Sequence, residues 1–382
     1  MGSGGRCGDG RRLSRGRSTE ARPRRSRQRR GIVALRAALG LLATGCLLAG
    51  CAAGGSGTAN KAAHHKKSSG VPTTPPSTAV AGGPDCPLTG TPAPHGVVPK
   101  RSALAVKVDN YPAARPQTGL TAADVVFEEP VEGGITRYVA IFQCRGAPEV
   151  GDVRSARNID IGILGQLGHP LLVHVGGIQP VIADILSSPI QDFELGNHTT
   201  IIQHVPGRFA PYDTYTSTGA VWHLRSTADQ PPQPLFAYSK VVPAGTPVKS
   251  VSIPFSRYSP VVWRYDAATR KFLRFYDSSP DKLSNGVQNS ASNVIVQIVN
   301  VTYGPWLENS TGGLEVQANL YTHASGKAIV FRDGVEIAGR WSRTNLAEPT
   351  SFATASGQRI TMQPGNTWVE LVPAPVSVTA TP

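Results

Sequence analysis

The chain has 382 residues and a formal net charge of +13, which by itself is typical of a nucleic-acid-binding protein. The charge is confined to one end, because residues 1–36 hold twelve arginines against two acids, and three lysines at positions 61, 66 and 67 have no acid near them. From residue 68 onward basic and acidic side chains balance. A neutral folded part offers no broad basic face to phosphate backbones, so we predict no nucleic-acid partner.

A short apolar segment follows the arginines. Residues 37–51 read AALGLLATGCLLAGC, which is too short to span a membrane. A basic region, an apolar region and small residues in this order are typical of a secretory signal. The last five residues, LLAGC, resemble the bacterial lipobox, in which an apolar residue and two small ones precede a cysteine. The resemblance implies a signal peptide over 1–50, cleavage before Cys51 and lipid, of the palmitate type, on its sulfur.

The anchor implies a place in the cell. Diacylglycerol supplies two acyl chains, which is enough for stable membrane attachment, so we expect the protein on the extracytoplasmic face of a bacterial membrane. Arg29 and Arg30 weakly resemble a twin-arginine signal. Twin-arginine export, general export and a start codon further downstream all remain open.

The segment after the lipobox has low complexity. Residues 52–85 are rich in small and polar residues and show no apolar periodicity, so we predict a disordered tether over 51–85 that spans roughly 30 Å. His64 and His65 lie in it, and we favour solvated side chains over a metal site. We predict neither a metal nor a cofactor for this chain.

Two cysteines remain after the signal peptide and the lipidated cysteine are set aside. They are Cys86 and Cys144, and an even pair in an oxidising compartment favours a disulfide. Two unpaired thiols are the alternative. Cys144 would then be free to act as a nucleophile with His174.

The elements of residues 86–240 alternate between strand and helix. Period-two or continuous apolar runs predict strands over 104–110, 135–143, 170–177 and 199–205. Helical patterns predict short helices over 121–129, 158–168, 178–188 and 216–227. Alternation of this kind is typical of a mixed α/β layer domain.

The sequence pattern changes after residue 248, where only strands are predicted. Residues 261–277 predict a hairpin, and further strands are predicted over 293–303, 316–323, 327–341 and 366–372. Asp333-Gly334 is a good two-residue hairpin turn. The predicted fold is therefore α+β, with a mixed α/β N-terminal domain over 86–240 and a mostly β C-terminal domain over 249–373.

Polar residues of the first domain cluster where apolar strands end. Loops at the carboxyl ends of strands commonly carry the site in α/β sheets, and guanidinium groups pair bidentately with carboxylates or phosphates. The candidate ligand-binding residues are Asp109, Asn110, Arg115, Arg137, Arg154, Arg157, His174, Arg208 and Tyr215.

Five segments carry a family resemblance. VDNYPAARPQTGL, EEPVEGGITRYVAIF, GDVRSAR, VHVGG and APYDTYTST, in this order and spacing, resemble the YerB-type bacterial lipoproteins. GKAIVFRDGVEIAGRW and QRITMQPGNTWVELVP resemble the second domain of that family. The resemblance covers about residues 86–373 and implies a two-domain envelope lipoprotein. It supplies no reaction, because none is established for the family.

The chain departs from the family pattern at three places. Tyr111 and Tyr212 stand where relatives often have histidine, and Ile178 stands where a serine is common. Two histidines and a candidate nucleophile are therefore absent, which weakens a catalytic role for these positions.

Each candidate also has a purely structural interpretation. Acids such as Asp124, Glu132 and Asp152 are numerous enough to pair with every arginine internally. His174 between two valines fits a hydrogen-bonded core residue, and as a general base it would need a carboxylate, for which Asp109 is the best candidate. The C-terminal aromatic residues fit a core at strand spacing, with a sugar-stacking surface as the alternative; they are Trp263, Tyr265, Phe272, Phe275, Tyr276, Trp341 and Trp368.

The favoured function is binding. We expect a membrane-anchored envelope lipoprotein that binds an anionic cell-wall component, such as a peptide-stem carboxylate or a wall-polymer phosphate, or a wall-synthesis partner. An envelope hydrolase that acts on wall peptides or glycans through Asp109 and His174 is the less favoured alternative. A third interpretation is a structural role in which the β domain docks a membrane protein.

Overall fold

The computed structural model describes residues 1–2, 83–225, 229–308 and 312–382. The predicted signal peptide, the lipidation site Cys51 and nearly all of the predicted tether lie outside the described residues. The described residues from Gly83 onward belong to one compact unit. None of the helices in these ranges is long and apolar enough to cross a membrane.

Short helices and many strands build the described chain. The α-helices are α1 (Ile159–Leu164), α2 (Gln179–Leu186) and α3 (Thr218–His223). The 3-10 helices are Pro94–Gly96, Pro112–Ala114, Leu120–Ala122, Glu132–Gly134, Gly165–Leu167, Leu195–Asn197 and Thr199–Ile201. The strands are β1 (Leu104–Asp109), β2 (Val125–Pro130), β3 (Thr136–Phe142), β4 (Val150–Gly151), β5 (Leu171–His174), β6 (Gln191–Glu194), β7 (Ile202–His204), β8 (Thr214–Thr216), β9 (Thr246–Pro247), β10 (Ser250–Ser256), β11 (Ser259–Asp266), β12 (Lys271–Tyr276), β13 (Ser279–Pro280), β14 (Ser290–Ala291), β15 (Asn293–Val299), β16 (Val301–Leu307), β17 (Leu314–Ala318), β18 (Ala324–Arg332), β19 (Val335–Arg343), β20 (Ser351–Ala353), β21 (Thr367–Pro373) and β22 (Thr379–Thr381).

One large sheet organises the fold. Its order is β20-β19-β18-β15-β21-β2-β3-β1-β5-β6, with β9 paired to β19. β1 runs parallel to β5 and antiparallel to β3. Because β1, β3 and β5 lie in the interior of the sheet and are covered on both faces, all their residues are buried.

The large sheet joins the two predicted segments. β21, from the C-terminal part of the chain, lies between β15 and β2 and runs parallel to both. β2 then pairs with β3, so backbone hydrogen bonds run without a break from the C-terminal strands into the N-terminal ones. The architecture is sheet-rich α+β, and the domain boundary at 240–249 stays a prediction.

Two apolar layers cover the large sheet. On one face, Val125 and Ile141 pack with residues of α1 and α2 such as Ile163 and Val181. On the other face, Val106, Tyr138 and Trp368 pack with the smaller sheet β13-β12-β11-β10-β22, to which Trp263 and Phe272 belong. The aromatic residues of the C-terminal part therefore lie mostly in the core, as their strand spacing indicated.

The helix predicted over 121–129 is wrong. A 3-10 turn covers Leu120–Ala122, and residues 125–130 form strand β2 between β21 and β3. Val125, Val126 and Phe127 are side chains that favour a pleated, buried surface. The pairing with β21, which is distant in sequence, decides the outcome over the local helical pattern.

Most other elements appear where the sequence predicts them. The hairpin over 261–277 is β11 and β12. Asp333 and Gly334 both have positive φ, 51° and 74°, and they turn β18 into β19. Helices are found inside the predicted ranges 158–168, 178–188 and 216–227.

Candidate functional site

Asp109 lies at the end of β1, where the chain leaves the large sheet. Its Oδ1 accepts the backbone N–H of Tyr111 at 3.0 Å, and its Oδ2 accepts Nε of Arg154 at 2.8 Å. Its own N–H donates to the backbone oxygen of Asp152 at 3.1 Å. The side chain is only 2% exposed, and each carboxylate oxygen accepts a hydrogen bond from the protein.

The GDVRSAR segment runs beside this strand end. Gly151 pairs with Tyr215 of β8, and the N–H of Arg154 donates to the oxygen of Lys107 in β1. A Cβ on Gly151 would lie 2.6 Å from the ring of Tyr215, so this position has no room for a side chain. The close packing of Gly151 against Tyr215 fixes the backbone from which the side chains of Asp152 and Arg154 extend.

Arg154 is the arginine of this segment whose side chain is partly exposed. Its side chain is 24% exposed, and the one hydrogen bond that this side chain makes to a described residue is the Nε contact to Asp109. Its guanidinium carbon lies 5.9 Å from the centre of the Tyr212 ring. The two terminal nitrogens are therefore left for another acceptor.

Arg157 and Arg137 are interior groups. Arg157 donates to both carboxylate oxygens of Glu132, at 2.9 and 2.5 Å, and lies 3.3 Å from Glu308. Arg137 donates to the backbone oxygen of Ser155 and lies 3.8 Å from Glu132. Burial and the neighbouring Arg157 lower the pKa of Arg137 to about 10. Both arginines belong to an internal network and do not face a ligand.

Arg115 and Arg208 bind backbone oxygens. Arg115 donates to the oxygens of Asn110 and Tyr258, and its guanidinium stacks 3.5 Å from the ring centre of Tyr276. Arg208 donates to the oxygens of Ala114 and Pro116. These two arginines fasten the loop after β1 to its neighbours.

Asn110 and Tyr215 are buried candidates. The amide nitrogen of Asn110 donates to Glu128 and Thr136 at 3.1 and 2.7 Å. Tyr215 is 1% exposed, and burial raises the pKa of its hydroxyl to about 12. Neither side chain is positioned to meet a ligand from solution.

The predicted pairing of His174 with Asp109 is wrong. Nε2 of His174 lies 2.6 Å from Asp192, and Nδ1 lies 2.9 Å from the backbone oxygen of Gly176. Both ring nitrogens are therefore engaged by oxygens of the protein. Burial lowers the pKa of His174, but the bonds to Asp192 and Gly176 outweigh it, and the pKa is raised.

The sequence indicates Asp152 only as one of the acids that could pair with an arginine. Its side chain is fully buried, and in the described part of the chain neither carboxyl oxygen has a hydrogen-bond partner. Burial and the nearby charge of Asp109 raise the pKa of Asp152 to about 7. Its place inside GDVRSAR is the signal that could have marked it.

The two cysteines of the folded part are joined. Cys86 and Cys144 form a disulfide with an S–S distance of 2.06 Å, across 58 residues of sequence. Neither sulfur is then available as a nucleophile. Cys144 therefore has no role beside His174.

Comparison with known proteins identifies a family that this chain matches. Residues 88–231 match the model described as the N-terminal domain of a protein of unknown function, DUF3048, and residues 251–369 match its C-terminal domain. A Bacillus subtilis (strain 168) protein described as "Putative lipoprotein YerB" is 28% identical over 300 residues, which are 75% of this chain and 86% of that protein.

A solved structure shares the fold. The crystal structure of YerB protein from Bacillus subtilis matches with a TM-score of 0.66 and 23% sequence identity, and the match covers 77% of this chain and 99% of that one. The two family models together cover more than half of the present chain, in the order that the quoted motifs predict. The chain therefore belongs to the YerB-like family of two-domain proteins whose function is unknown.

Proposed function

We propose that this protein is a lipid-anchored lipoprotein on the extracytoplasmic face of the bacterial membrane, and that it binds an anionic component of the cell wall at Arg154. The lipobox ending at Cys51 and the description of its relative YerB as a lipoprotein support the anchor. The tether would hold the folded part close to the membrane and within reach of the wall.

One observation carries the binding site. Of the five candidate arginines, four are held by backbone oxygens, buried acids or both. Arg154 keeps a partly exposed side chain and two terminal nitrogens without a hydrogen bond to a described residue. A guanidinium with these nitrogens open is suited to a carboxylate or phosphate from outside.

The local charge also favours an anion. Arg208 and Arg154 both lie close enough to act on the carboxyl of Asp152. With the pKa of Asp152 at about 7, that carboxyl is partly protonated at neutral pH. A protonated Asp152 adds no negative charge beside Arg154, so a bound anion meets less repulsion there.

The hydrolase alternative has less support. It required His174 to accept a proton beside Asp109, but both nitrogens of His174 are held by Asp192 and Gly176. An imidazole with both nitrogens already engaged in the interior has none within reach of a substrate proton. Binding is therefore the function that this arrangement supports best.

The test is binding to purified wall fragments. We expect the full chain to sediment with them, and we expect Arg154→Ala to weaken binding about tenfold, because a charge-assisted hydrogen bond is lost. Arg340→Ala is the matched control, since Arg340 is exposed on β19 far along the sheet order from β1. Far-UV circular dichroism should be the same for all three proteins.

Two outcomes would contradict the proposal. One is binding that Arg154→Ala and Arg340→Ala reduce equally. The other is no binding to wall fragments, together with capture of a wall-synthesis protein that Arg154→Ala abolishes. Arg157→Ala is a poorer test, because it removes the hydrogen bonds to both carboxylate oxygens of buried Glu132. Arg154→Ala leaves Asp109 the hydrogen bond from the backbone N–H of Tyr111.

A further inference from the structure

Tyr111 and Tyr212 lie beside Asp109 and Arg154, and Tyr258 contacts Tyr111. Tyr111 and Tyr258 have ring centres 5.6 Å apart at an angle of 50°. The ring of Tyr212 lies 5.9 Å from the guanidinium carbon of Arg154. All three side chains are half-buried. We call Tyr111, Tyr212 and Tyr258 the tyrosine cluster.

The tyrosine cluster is tied to the same carboxylate as Arg154. The backbone N–H of Tyr111 donates to Asp109, whose other oxygen holds Arg154. Burial raises the pKa of Tyr212, and the charges of Asp109 and Tyr111 act on it in the same direction. Tyr111 is therefore joined to Asp109 through its backbone, and Tyr212 lies beside Arg154, the other partner of that carboxylate.

A second cation lies at the far side of the cluster. Arg257 is exposed, and its guanidinium carbon lies 4.6 Å from the centre of the Tyr258 ring. Its terminal nitrogen also donates to the hydroxyl of Tyr258. The surface thus presents half-buried aromatic rings between two arginines.

These rings differ from the aromatic side chains that fill the core. Trp263, Trp341 and Trp368 are at most 2% exposed and fill the core. The tyrosine cluster keeps part of each ring in water, where it can meet a ligand. Tyrosine offers an apolar ring and a polar hydroxyl together, which matches a sugar, whose ring has a C–H face and hydroxyl edges.

We infer that the site takes a sugar ring that itself carries the anion, with the anion on Arg154 and the ring against Tyr111 and Tyr212. This inference rests on the proposed function, because it names the ligand class of the same site. An arginine alone would accept any carboxylate or phosphate. The adjacent rings are what add a preference for a ring-shaped ligand over a peptide terminus.

Two sugar sources share this chemistry, and small probes separate them. N-acetylmuramic acid carries a carboxylate on the ring, and N-acetylglucosamine is its match without the carboxylate. Glucose 6-phosphate represents a phosphorylated wall sugar. D-alanyl-D-alanine carries a carboxylate without a sugar. Saturation-transfer NMR on the full lipidated chain in detergent micelles would measure the four Kd values.

The expected order is specific. One or both anionic sugars should bind at least tenfold more tightly than N-acetylglucosamine and than D-alanyl-D-alanine. Whichever anionic sugar binds more tightly identifies the source. Tyr212→Ala should weaken the anionic sugar about three- to tenfold, because a ring contact is lost, whereas Tyr212→Phe should keep most of the affinity.

Tyr303→Ala is the matched control. Tyr303 is 68% exposed on β16, which pairs with β17 in a separate two-stranded sheet, and no ring contact joins it to the cluster among the described residues, so its removal should change nothing. The inference is overturned if D-alanyl-D-alanine binds as tightly as the sugars, or if Tyr212→Ala has no more effect than Tyr303→Ala. In those cases an effect of Arg154→Ala would still leave the proposed function standing. Loss of the Arg154 effect would remove both.

Discussion

At the scale of single residues, Arg154 and Arg157 show how neighbours in one motif acquire different roles. Both belong to GDVRSAR, three positions apart. Arg157 meets Glu132 and Glu308 in the interior and is 3% exposed, whereas Arg154 meets only Asp109 and is 24% exposed. The difference comes from which acids the fold brings to each guanidinium, and the spacing of the arginines does not reveal it.

Asp152 gives a prediction for stability against pH. Its pKa is about 7 in the folded chain, against 3.8 without burial. The folded state therefore binds its proton more tightly than the unfolded state, and the contribution of Asp152 to stability is lost as pH rises from about 4 to about 7. Asp152→Asn cannot ionise. Above pH 7 its free energy of unfolding should exceed that of the wild type by about 2–4 kcal/mol, which raises its unfolding temperature.

The measurement is thermal unfolding of both proteins between pH 4 and pH 9. The gain of Asp152→Asn should be absent near pH 4 and complete above pH 7. A gain or loss that stays constant across this range would show that Asp152 is not a buried, proton-binding carboxyl. Asp184→Asn, on α2, is the control, because this carboxylate lies outside the site.

At the scale of elements, a turn can be determined by adjacent residues, whereas a strand can depend on a partner that is distant in the sequence. The turn between β18 and β19 needs two residues with positive φ, and Asp333-Gly334 supplies them locally. Strand β2 depends instead on pairing with β21, more than two hundred residues later. Local patterns therefore identified the turn and failed for β2.

Gly334 gives a prediction for this hairpin. It has φ +74°, and an added Cβ would lie 2.6 Å from the ring of Tyr265. Gly334→Ala should therefore lower the free energy of unfolding by about 2–4 kcal/mol, from the left-handed backbone and the clash together. Gly357→Ala is the control, since Gly357 has φ +84° but nothing within 4 Å of an added Cβ.

Urea denaturation of the two variants separates these causes. The Gly357 variant should lose only about 1–2 kcal/mol, because it has the backbone cost alone. Equal losses in the two variants would mean that the ring of Tyr265 moves aside without cost.

At the scale of the whole molecule, the two family segments share one interior. β2 pairs with β21 along Glu128 and Glu370. Glu128 is 2.6 Å from Arg274 of the smaller sheet, which is 2.6 Å from Asp281. These charged groups are buried, so separating the segments would leave them unpaired and desolvated. Cooperativity between the segments follows from this arrangement.

A single unfolding transition is the corresponding prediction. Intrinsic tryptophan fluorescence and far-UV circular dichroism should give coincident urea curves for the folded part. A protease site placed at Val241–Val242, which are exposed, should yield two fragments that remain associated in native buffer. Two separated transitions, or fragments that part without denaturant, would contradict a shared interior.

Much of the architecture was predictable because its causes are local. Apolar runs of strand length predicted β1, β3 and β5, and helical spacing predicted α1 and α2. The candidate site was predictable only in part. Asp109 and Arg154 were identified by their motifs and do meet, but His174 bonds Asp192 instead of Asp109, because β6 lies on the other side of β5.

The sequence by itself determined the family and the neutral charge of the folded part, and it predicts a lipobox, because motifs and composition can be read from consecutive residues. Only the tertiary structure decided which arginine stays partly exposed, which carboxyl is buried without a hydrogen-bond partner among the described residues, and which tyrosine lies beside Arg154. Those outcomes depend on contacts between residues distant in the chain, and such contacts set burial, hydrogen bonding and pKa together.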